Sequence, residues 1–115
     1  MKKYQNKIYL LKIDTPDKRL YKIGSTRNSI SKRIQGLQTG CPFEIQLIEY
    51  YESELGQLVE RSLHNRFQHK QTFGEWFELD LTDEVTFVNM CKDLEVMNEN
   101  LEKNNTENYA NNRYT

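Results

Sequence analysis

The fold is decided by the stretch Lys7-Ile8-Tyr9-Leu10-Leu11-Lys12-Ile13, then Asp14-Thr15-Pro16-Asp17-Lys18, then Leu20-Tyr21-Lys22-Ile23-Gly24. The first and third pieces are rich in β-branched and aromatic residues, which favour strands. The middle piece contains a proline, which fixes φ, and aspartates, which favour local turn hydrogen bonds. The stretch therefore predicts a β-hairpin. Because both strands are apolar on both faces, we expect a sheet that is covered on two sides.

The register of this hairpin determines which side chains share a face. If Ile13 pairs with Leu20, then Tyr9 lies opposite Gly24. Tyr9 and Lys22 are then diagonal neighbours on one face, and Tyr21 points to the other. A slip by one residue would reverse these faces, so the side-chain arrangement depends on the register.

Beyond the hairpin, the spacing of apolar residues predicts three helices and a third strand. Ser29 can cap a helix that Gly40 and Pro42 end. Residues 43–51 are apolar and β-prone. The predicted second helix runs from about 53 to 67, and its buried stripe is Leu55, Val59, Leu63 and Phe67. Residues 74–79 read as a short strand or extended loop. Asp83 is the predicted cap of a last helix, with Val88, Cys91, Leu94 and Leu101 on one side.

The predicted architecture is a single α/β (α+β) domain. A small, three-stranded, mainly antiparallel sheet is flanked by helices, and an extra C-terminal helix follows. We expect the domain at residues 1–82, the additional helix packing on it at 83–103, and a disordered tail at 104–115. The tail prediction rests on a polar, asparagine-rich composition that cannot bury enough surface to offset its ordering entropy.

The charge distribution is uneven, although the formal net charge is only −1. Residues 1–43 carry ten lysines and arginines against two aspartates, and acidic residues later in the chain balance them. Such an asymmetry can form a cationic face that binds phosphates, or a merely solvated surface. No apolar run is long enough to cross a membrane. We expect an intracellular, cytoplasmic protein whose cysteines, Cys41 and Cys91, are reduced packing residues.

Four features carry candidate chemistry: Tyr9, Lys22-Ile23-Gly24, Arg33 and Glu60. Each is ordinary when taken alone, since a strand tyrosine usually packs and a helix arginine or glutamate is usually solvated. Their order is more specific than any one of them. Arg33 follows Gly24 by nine residues, and Glu60 follows it by thirty-six.

This order resembles the GIY-YIG endonuclease superfamily, which has triplets in two strands, an arginine in the next helix and a glutamate in a later one. The two triplets here are Lys7-Ile8-Tyr9 and Lys22-Ile23-Gly24. The chain is more specifically similar to the phage-associated and meiotically up-regulated branch of that superfamily. The motifs that carry this similarity are Lys22-Ile23-Gly24-Ser25, Leu37-Gln38-Thr39-Gly40 and Gly74-Glu75-Trp76-Phe77.

The resemblance implies a metal-dependent endonuclease that hydrolyses phosphodiesters of nucleic acid, with DNA as the expected substrate. Glu60 would hold Mg²⁺ or Mn²⁺, and Arg33 would grip the scissile phosphate. Tyr9 would orient or deprotonate the attacking water. A phenol with the ordinary pKa of about 10 is a weak base at neutral pH, so a cation is needed beside it, and Lys22 is the predicted one.

Further residues have supporting roles in this interpretation. They are Tyr21, Gly24, Arg27 and His64, and the expected nucleic-acid contacts are Lys12, Arg27, Lys32 and Arg33. His64 shares a helix face with Glu60 and can serve the metal, a proton transfer or simply a backbone carbonyl.

A catalytically inactive nucleic-acid-binding or regulatory module on the same fold is the alternative. It is favoured by the absence of the asparagine that many superfamily members carry after the glutamate, and by the lack of a recognisable DNA-reading domain. A protein-interaction domain that uses the last helix and the tail is a third, weaker interpretation.

Overall fold

A computed structural model describes residues 5–112, with side chains for residues 5–101. Four strands are present: β1 (Asn6–Asp14), β2 (Arg19–Thr26), β3 (Gln46–Ser53) and β4 (Trp76–Phe77). The helices are α1 (Ile30–Gln38), α2 (Gly56–Arg66), α3 (Leu81–Val85) and α4 (Phe87–Asn112), with a 3₁₀ turn at Gln68–Lys70. No helix among the described residues has the length and apolar character that crossing a membrane requires.

The strands form one antiparallel sheet in the order β3-β1-β2-β4. The predicted mixed α and β architecture is confirmed, with a fourth strand where three were expected. That strand is only two residues long, which is too short to show a periodic pattern of apolar residues. The sequence therefore predicted either a short strand or an extended loop for this segment. Tyr21 and Lys22 of β2 pair with Phe77 and Trp76 of β4.

The hairpin has the predicted register: Ile13 pairs with Leu20, and Tyr9 with Gly24. Side chains of a strand alternate between faces, so Tyr9 and Lys22 share one face and Tyr21 lies on the other. The sequence prediction of these faces is therefore confirmed.

Each face of the sheet has its own apolar core, as the two-sided apolar strands predict. On one face the strand side chains pack with α2 and α4, and Val59, Leu63 and Phe67 of the predicted stripe are buried there. On the other face α1 covers Tyr9, Leu11, Ile13, Leu20 and Ile45. Both cysteines are free thiols that pack in these cores, Cys91 in the first and Cys41 at the edge of the second.

The C-terminal region departs from the prediction of one helix beginning at Asp83. Asp80 is the N-cap of α3, and its side chain accepts the Asp83 N–H over 2.9 Å. The Asp83 side chain in turn accepts the Asp80 N–H over 3.0 Å, and the two hydrogen bonds form a capping box. Because both aspartates take part, the sequence does not show which of them is the N-cap. A separate helix, α4, then begins at Phe87.

The apolar stripe predicted for the last helix is shorter in the structure. Cys91 and Leu94 are buried as expected, but Leu101 is 56% exposed because the core ends at Leu94. The backbone of α4 is helical to Asn112. The disorder predicted for residues 104–115 stays a prediction. Residues 113–115 of the predicted tail lie outside the described residues.

Candidate nuclease site at the end of strand β2

The candidate site begins at the close approach of β1 and β2, where Gly24 faces Tyr9. The Tyr9 ring packs against the glycine, and a Cβ added to Gly24 would stand 2.6 Å from the ring carbon Cζ. Only a residue without a side chain allows this packing. Gly24 therefore fixes the position of the phenol, and Tyr9 is 1% exposed.

Arg33 of α1 reaches this phenol. Ser29 caps α1 by accepting the Lys32 N–H over 3.3 Å, as the sequence predicts, and the first turn then directs Arg33 toward the sheet. Its Nε–H donates to the Tyr9 hydroxyl over 3.2 Å. That hydrogen bond is the largest reason why the pKa of Arg33 is raised, and attraction to Glu75 and Glu60 adds to it.

Glu60 of α2 approaches the same end of β2 from the other face of the sheet. Ser25, the residue after Gly24, donates its hydroxyl to Glu60 Oε2 over 3.2 Å. Glu60 and Ser25 border an open depression of about 410 Å³, together with His64 and Glu75. Ser25 also borders a second depression, which extends toward the start of α1.

His64 has the structural role that the sequence left open. Its Nε2–H donates to the Ile23 carbonyl over 2.8 Å, and its ring packs edge-on against Phe77 at 5.1 Å between centroids. These contacts tie α2 to β2 and so hold Glu60, one helical turn earlier, beside Ser25.

Lys22 does not bond the phenol, contrary to the predicted pairing of Lys22 with Tyr9. Its Nζ donates to Glu75 Oε2 over 2.5 Å and lies 5.6 Å from the centroid of the Trp76 ring. The hydrogen bond and the positive charge of Lys22 hold the pKa of Glu75 below its usual range. The cation at Tyr9 is Arg33, since α1 brings its guanidinium to the phenol while Lys22 turns toward β4.

A tight turn presents Glu75 to Lys22. The Trp76 N–H donates to the Phe73 carbonyl over 3.1 Å, and Gly74 between them has a φ of +56°. A positive φ at this position is the reason for the glycine, because other residues are strained there. The Gly-Glu-Trp-Phe motif thus forms a turn that places the Glu75 carboxylate at the site.

The predicted nucleic-acid contacts divide into two groups. Lys32 and Arg33 border the second depression, of about 720 Å³, with Asn28 and Ser29. Arg27 lies in the adjoining loop between β2 and α1. Lys12 is not part of this group: it alternates onto the opposite face from Tyr9, and its Nζ lies 3.7 Å from Asp14.

The structure therefore brings together most of the predicted residues but separates Tyr21 from them. Tyr21 is buried in the core on the α2 side and donates its hydroxyl to Glu84 of α3 over 2.9 Å. Burial is the main cause that raises the pKa of Tyr21. The Tyr21 side chain therefore joins α3 to the sheet.

Two residues at the site were not singled out by the sequence reasoning, Ser25 and Glu75. Both stand in the motifs Lys-Ile-Gly-Ser and Gly-Glu-Trp-Phe. Their order along the chain cannot show that Ser25 faces Glu60 or that Glu75 faces Lys22. The signal available in the sequence was a charged residue, Glu75, placed next to two aromatic residues in the Gly-Glu-Trp-Phe motif.

A small α+β domain is thus defined, in which tyrosine, arginine and glutamate side chains gather at the end of one strand. The chain belongs to the T5orf172 domain family, whose model matches residues 6–93. This domain is found in phage-associated and nuclease-related proteins and is compatible with a nuclease-like or DNA-binding role. No curated protein and no solved structure matches the chain significantly.

Proposed function

We propose that this domain is a metal-dependent endonuclease of the GIY-YIG type that hydrolyses phosphodiester bonds of nucleic acid, with DNA as the first substrate to test. The observation that carries the proposal is the convergence of Arg33 and Glu60 on adjoining depressions that share Ser25. A phosphate gripped by Arg33 can therefore be adjacent to whatever Glu60 holds.

The surroundings of Glu60 fit a hydrated Mg²⁺ or Mn²⁺ ion. Mg²⁺ commonly binds one or two protein carboxylates and keeps several of its waters. Glu60 is half-buried, its carboxylate borders an open depression, and the Glu75 carboxylate borders the same space. Among the described residues no group of three histidine, cysteine or acidic side chains is poised to hold a metal without such waters. When bound, the ion supplies Lewis-acid polarisation of the phosphate.

Arg33 would bind the scissile phosphate. The guanidinium has five N–H donors, and the Nε–H is the one that Tyr9 occupies. The two Nη groups then offer paired donors that match two phosphate oxygens. The start of α1 and Lys32 border the same depression and add positive potential for the phosphates on either side.

The burial of Tyr9 changes its proposed role. The Tyr9 side chain is buried and its hydroxyl is bonded to Arg33, so contact of the phenol with an attacking water would require these surroundings to rearrange. We assign Tyr9 to positioning Arg33 rather than to removing the proton of the water. Water attacks the phosphorus, the bond from phosphorus to the sugar oxygen breaks, and a phosphomonoester and a hydroxyl group result.

A binding module without cleavage is the second candidate function. It is favoured by the engagement of Lys22, a predicted catalytic residue whose ammonium is bonded to Glu75 instead of facing the phosphate site. Such a module would use the same Arg33 and Lys32 contacts to hold nucleic acid.

Nicking of supercoiled plasmid in Mg²⁺ or Mn²⁺ tests the proposal. The wild type is compared with Glu60→Gln and with Glu54→Gln, which changes an exposed carboxylate just before α2. Glu60→Gln should lower the rate at least about 100-fold while DNA binding persists, and Glu54→Gln should cut normally. Cleavage by Glu60→Gln at the wild-type rate would refute the role of Glu60. Binding without cleavage by the wild type in either metal would establish the second candidate.

A further inference from the structure

An apolar pocket of about 470 Å³ lies next to the candidate site and has no role in the proposed hydrolysis. Its lining includes Leu37, Phe43, Phe73 and Trp76. Phe73 is 62% exposed, which is unusual for a phenylalanine held by a tight turn. Large exposed aromatic surface beside a polar site indicates a place where a ligand binds.

The pocket and the Glu60 depression share a boundary. Lys22 lines the pocket, and Glu75, its partner in the ion pair, lines the depression. The Lys22 ammonium also lies over the Trp76 ring at 5.6 Å. A ligand in the pocket is therefore one ion pair away from the proposed cleavage site.

Helix α1 contributes a residue both to the pocket and to the proposed phosphate-binding site. Arg33 and Leu37 stand four residues apart and so lie on the same side of the helix, about 6 Å or roughly one turn apart along the axis. A cationic group and an apolar, aromatic-lined pocket one turn apart match the two halves of a nucleotide, the anionic phosphate and the flat base.

We infer that this pocket binds an unpaired base of the nucleotide next to the phosphate at Arg33. Bases stack on aromatic side chains with little regard to sequence, because every base has a π face. A base inside a duplex is stacked and paired, so it can enter only after being flipped out. The inference rests on the proposed function and narrows it to substrates with unpaired nucleotides, such as single strands, gaps or frayed ends.

The chain has one tryptophan, Trp76, which makes its fluorescence a direct report on the pocket. The full-length protein, without divalent metal, is titrated with a short single-stranded DNA and with a strand of equal length made only of abasic sites. A blunt duplex is the third probe. The single strand should quench Trp76 fluorescence saturably and bind at least about five-fold more tightly than the abasic strand, which has the same phosphates.

Phe73→Ala and Phe73→Leu separate base stacking from phosphate binding. Both should weaken single-strand binding at least about five-fold and leave abasic-strand binding unchanged, because the leucine keeps apolar bulk but has no π face. Met97→Ala is the matched control, since Met97 is an exposed apolar residue on α4, across the sheet from α1. A thermal melt of each variant verifies folding.

Equal affinity for the natural and abasic strands, or unchanged Trp76 emission at saturation, would overturn the base pocket. Plasmid cleavage by the same protein reports separately on the proposed function. Cleavage without base-dependent quenching would leave the nuclease proposal standing and reject the pocket. Base-dependent quenching without cleavage would support the pocket on a binding module.

Discussion

The Nε–H of Arg33 donates to the Tyr9 hydroxyl over 3.2 Å and thereby joins α1 to β1 where β2 ends. The same bond raises the pKa of Arg33, so the guanidinium remains charged under all ordinary conditions. Two residues that are far apart in the sequence thus form one unit, in which the buried phenol determines where the cation points.

This unit makes a prediction about cleavage kinetics. Arg33→Lys keeps the charge but loses the planar fork, and single-turnover cleavage should fall by about 100-fold to 1,000-fold. Tyr9→Phe should lower the single-turnover cleavage rate by up to about 100-fold, because Arg33 is then misplaced. If Tyr9 acts through Arg33, Tyr9→Phe should have little further effect in the Arg33→Lys background. Losses that multiply in the double variant would show instead that the phenol acts on the water directly.

Two glycines in different surroundings provide a matched stability test. Gly24→Ala places a Cβ 2.6 Å from Cζ of Tyr9, and the resulting overlap should destabilise the fold by about 1–3 kcal/mol. Gly36, within α1, has nothing within 4 Å of the position that a Cβ would take, so Gly36→Ala should stabilise by about 0.5–1 kcal/mol. Urea unfolding of the two variants measures both effects. A neutral Gly24→Ala would mean that the Tyr9 ring moves without cost.

Local patterns were enough to predict the hairpin and the α2 stripe. Ile13 and Leu20 flank a turn of defined chemistry, and this constrains the register and hence the faces of Tyr9 and Lys22. The stripe through Val59 and Leu63 follows from helical spacing. These features depend on residues near one another in the chain, where periodicity and turn preferences operate.

The hydrogen-bond partners of Lys22 and Tyr9 could not be predicted from local sequence patterns. The Glu75 that bonds Lys22 lies 53 residues further along and sits on a turn before a two-residue strand. Arg33 reaches Tyr9 because of how α1 packs on the sheet. The register brings a residue to the correct side of a sheet, but tertiary packing decides which of two nearby cations reaches the phenol.

The affinity for nucleic acid should fall with salt concentration, and lysine and arginine side chains of α1 should account for part of this dependence. Lys32 is exposed and borders the depression at the start of α1, whereas Lys18 lies 3.9 Å from Glu78 at the far end of the hairpin. If Lys32 neutralises one phosphate, Lys32→Ala should reduce the slope of log affinity against log salt by about 0.7–0.9. Lys18→Ala should leave it nearly unchanged. Fluorescence anisotropy between low and high salt measures the slopes, and equal slopes would remove α1 from the interface.

Truncation should separate the domain from the end of α4. The core ends at Leu94, and the family match ends at residue 93. Deleting residues 104–115 should therefore leave the melting temperature and DNA binding unchanged. Deleting from Phe87 onward removes Phe87, Cys91 and Leu94 from the core and should prevent stable folding. A large fall in melting temperature on the shorter deletion would show that the helix end packs on the domain.

The pair of Lys22 and Glu75 makes stability depend on acid pH in a defined direction. The side chain of Lys22 is 9% exposed and that of Glu75 is 66% exposed, so the loss of the carboxylate leaves a nearly buried ammonium without its partner. The pKa of Glu75 is lowered by this partner. The contribution of the pair is therefore present above the ordinary glutamate pKa, and it is lost as the pH falls through the lower pKa of the folded state.

Glu75→Gln should accordingly lower the melting temperature at neutral pH, and the difference from the wild type should shrink as the solution is acidified below about pH 4. Glu78→Gln is the control, because Glu78 pairs with Lys18 at 3.9 Å between two exposed side chains and such pairs contribute little. Lys22→Met removes the buried charge while keeping an apolar stem beside Trp76. Adding Glu75→Gln to Lys22→Met should then change stability little at any pH. A pH-independent difference between the wild type and Glu75→Gln, or an equal effect of Glu75→Gln with and without Lys22, would show that the carboxylate stabilises the turn and not the lysine.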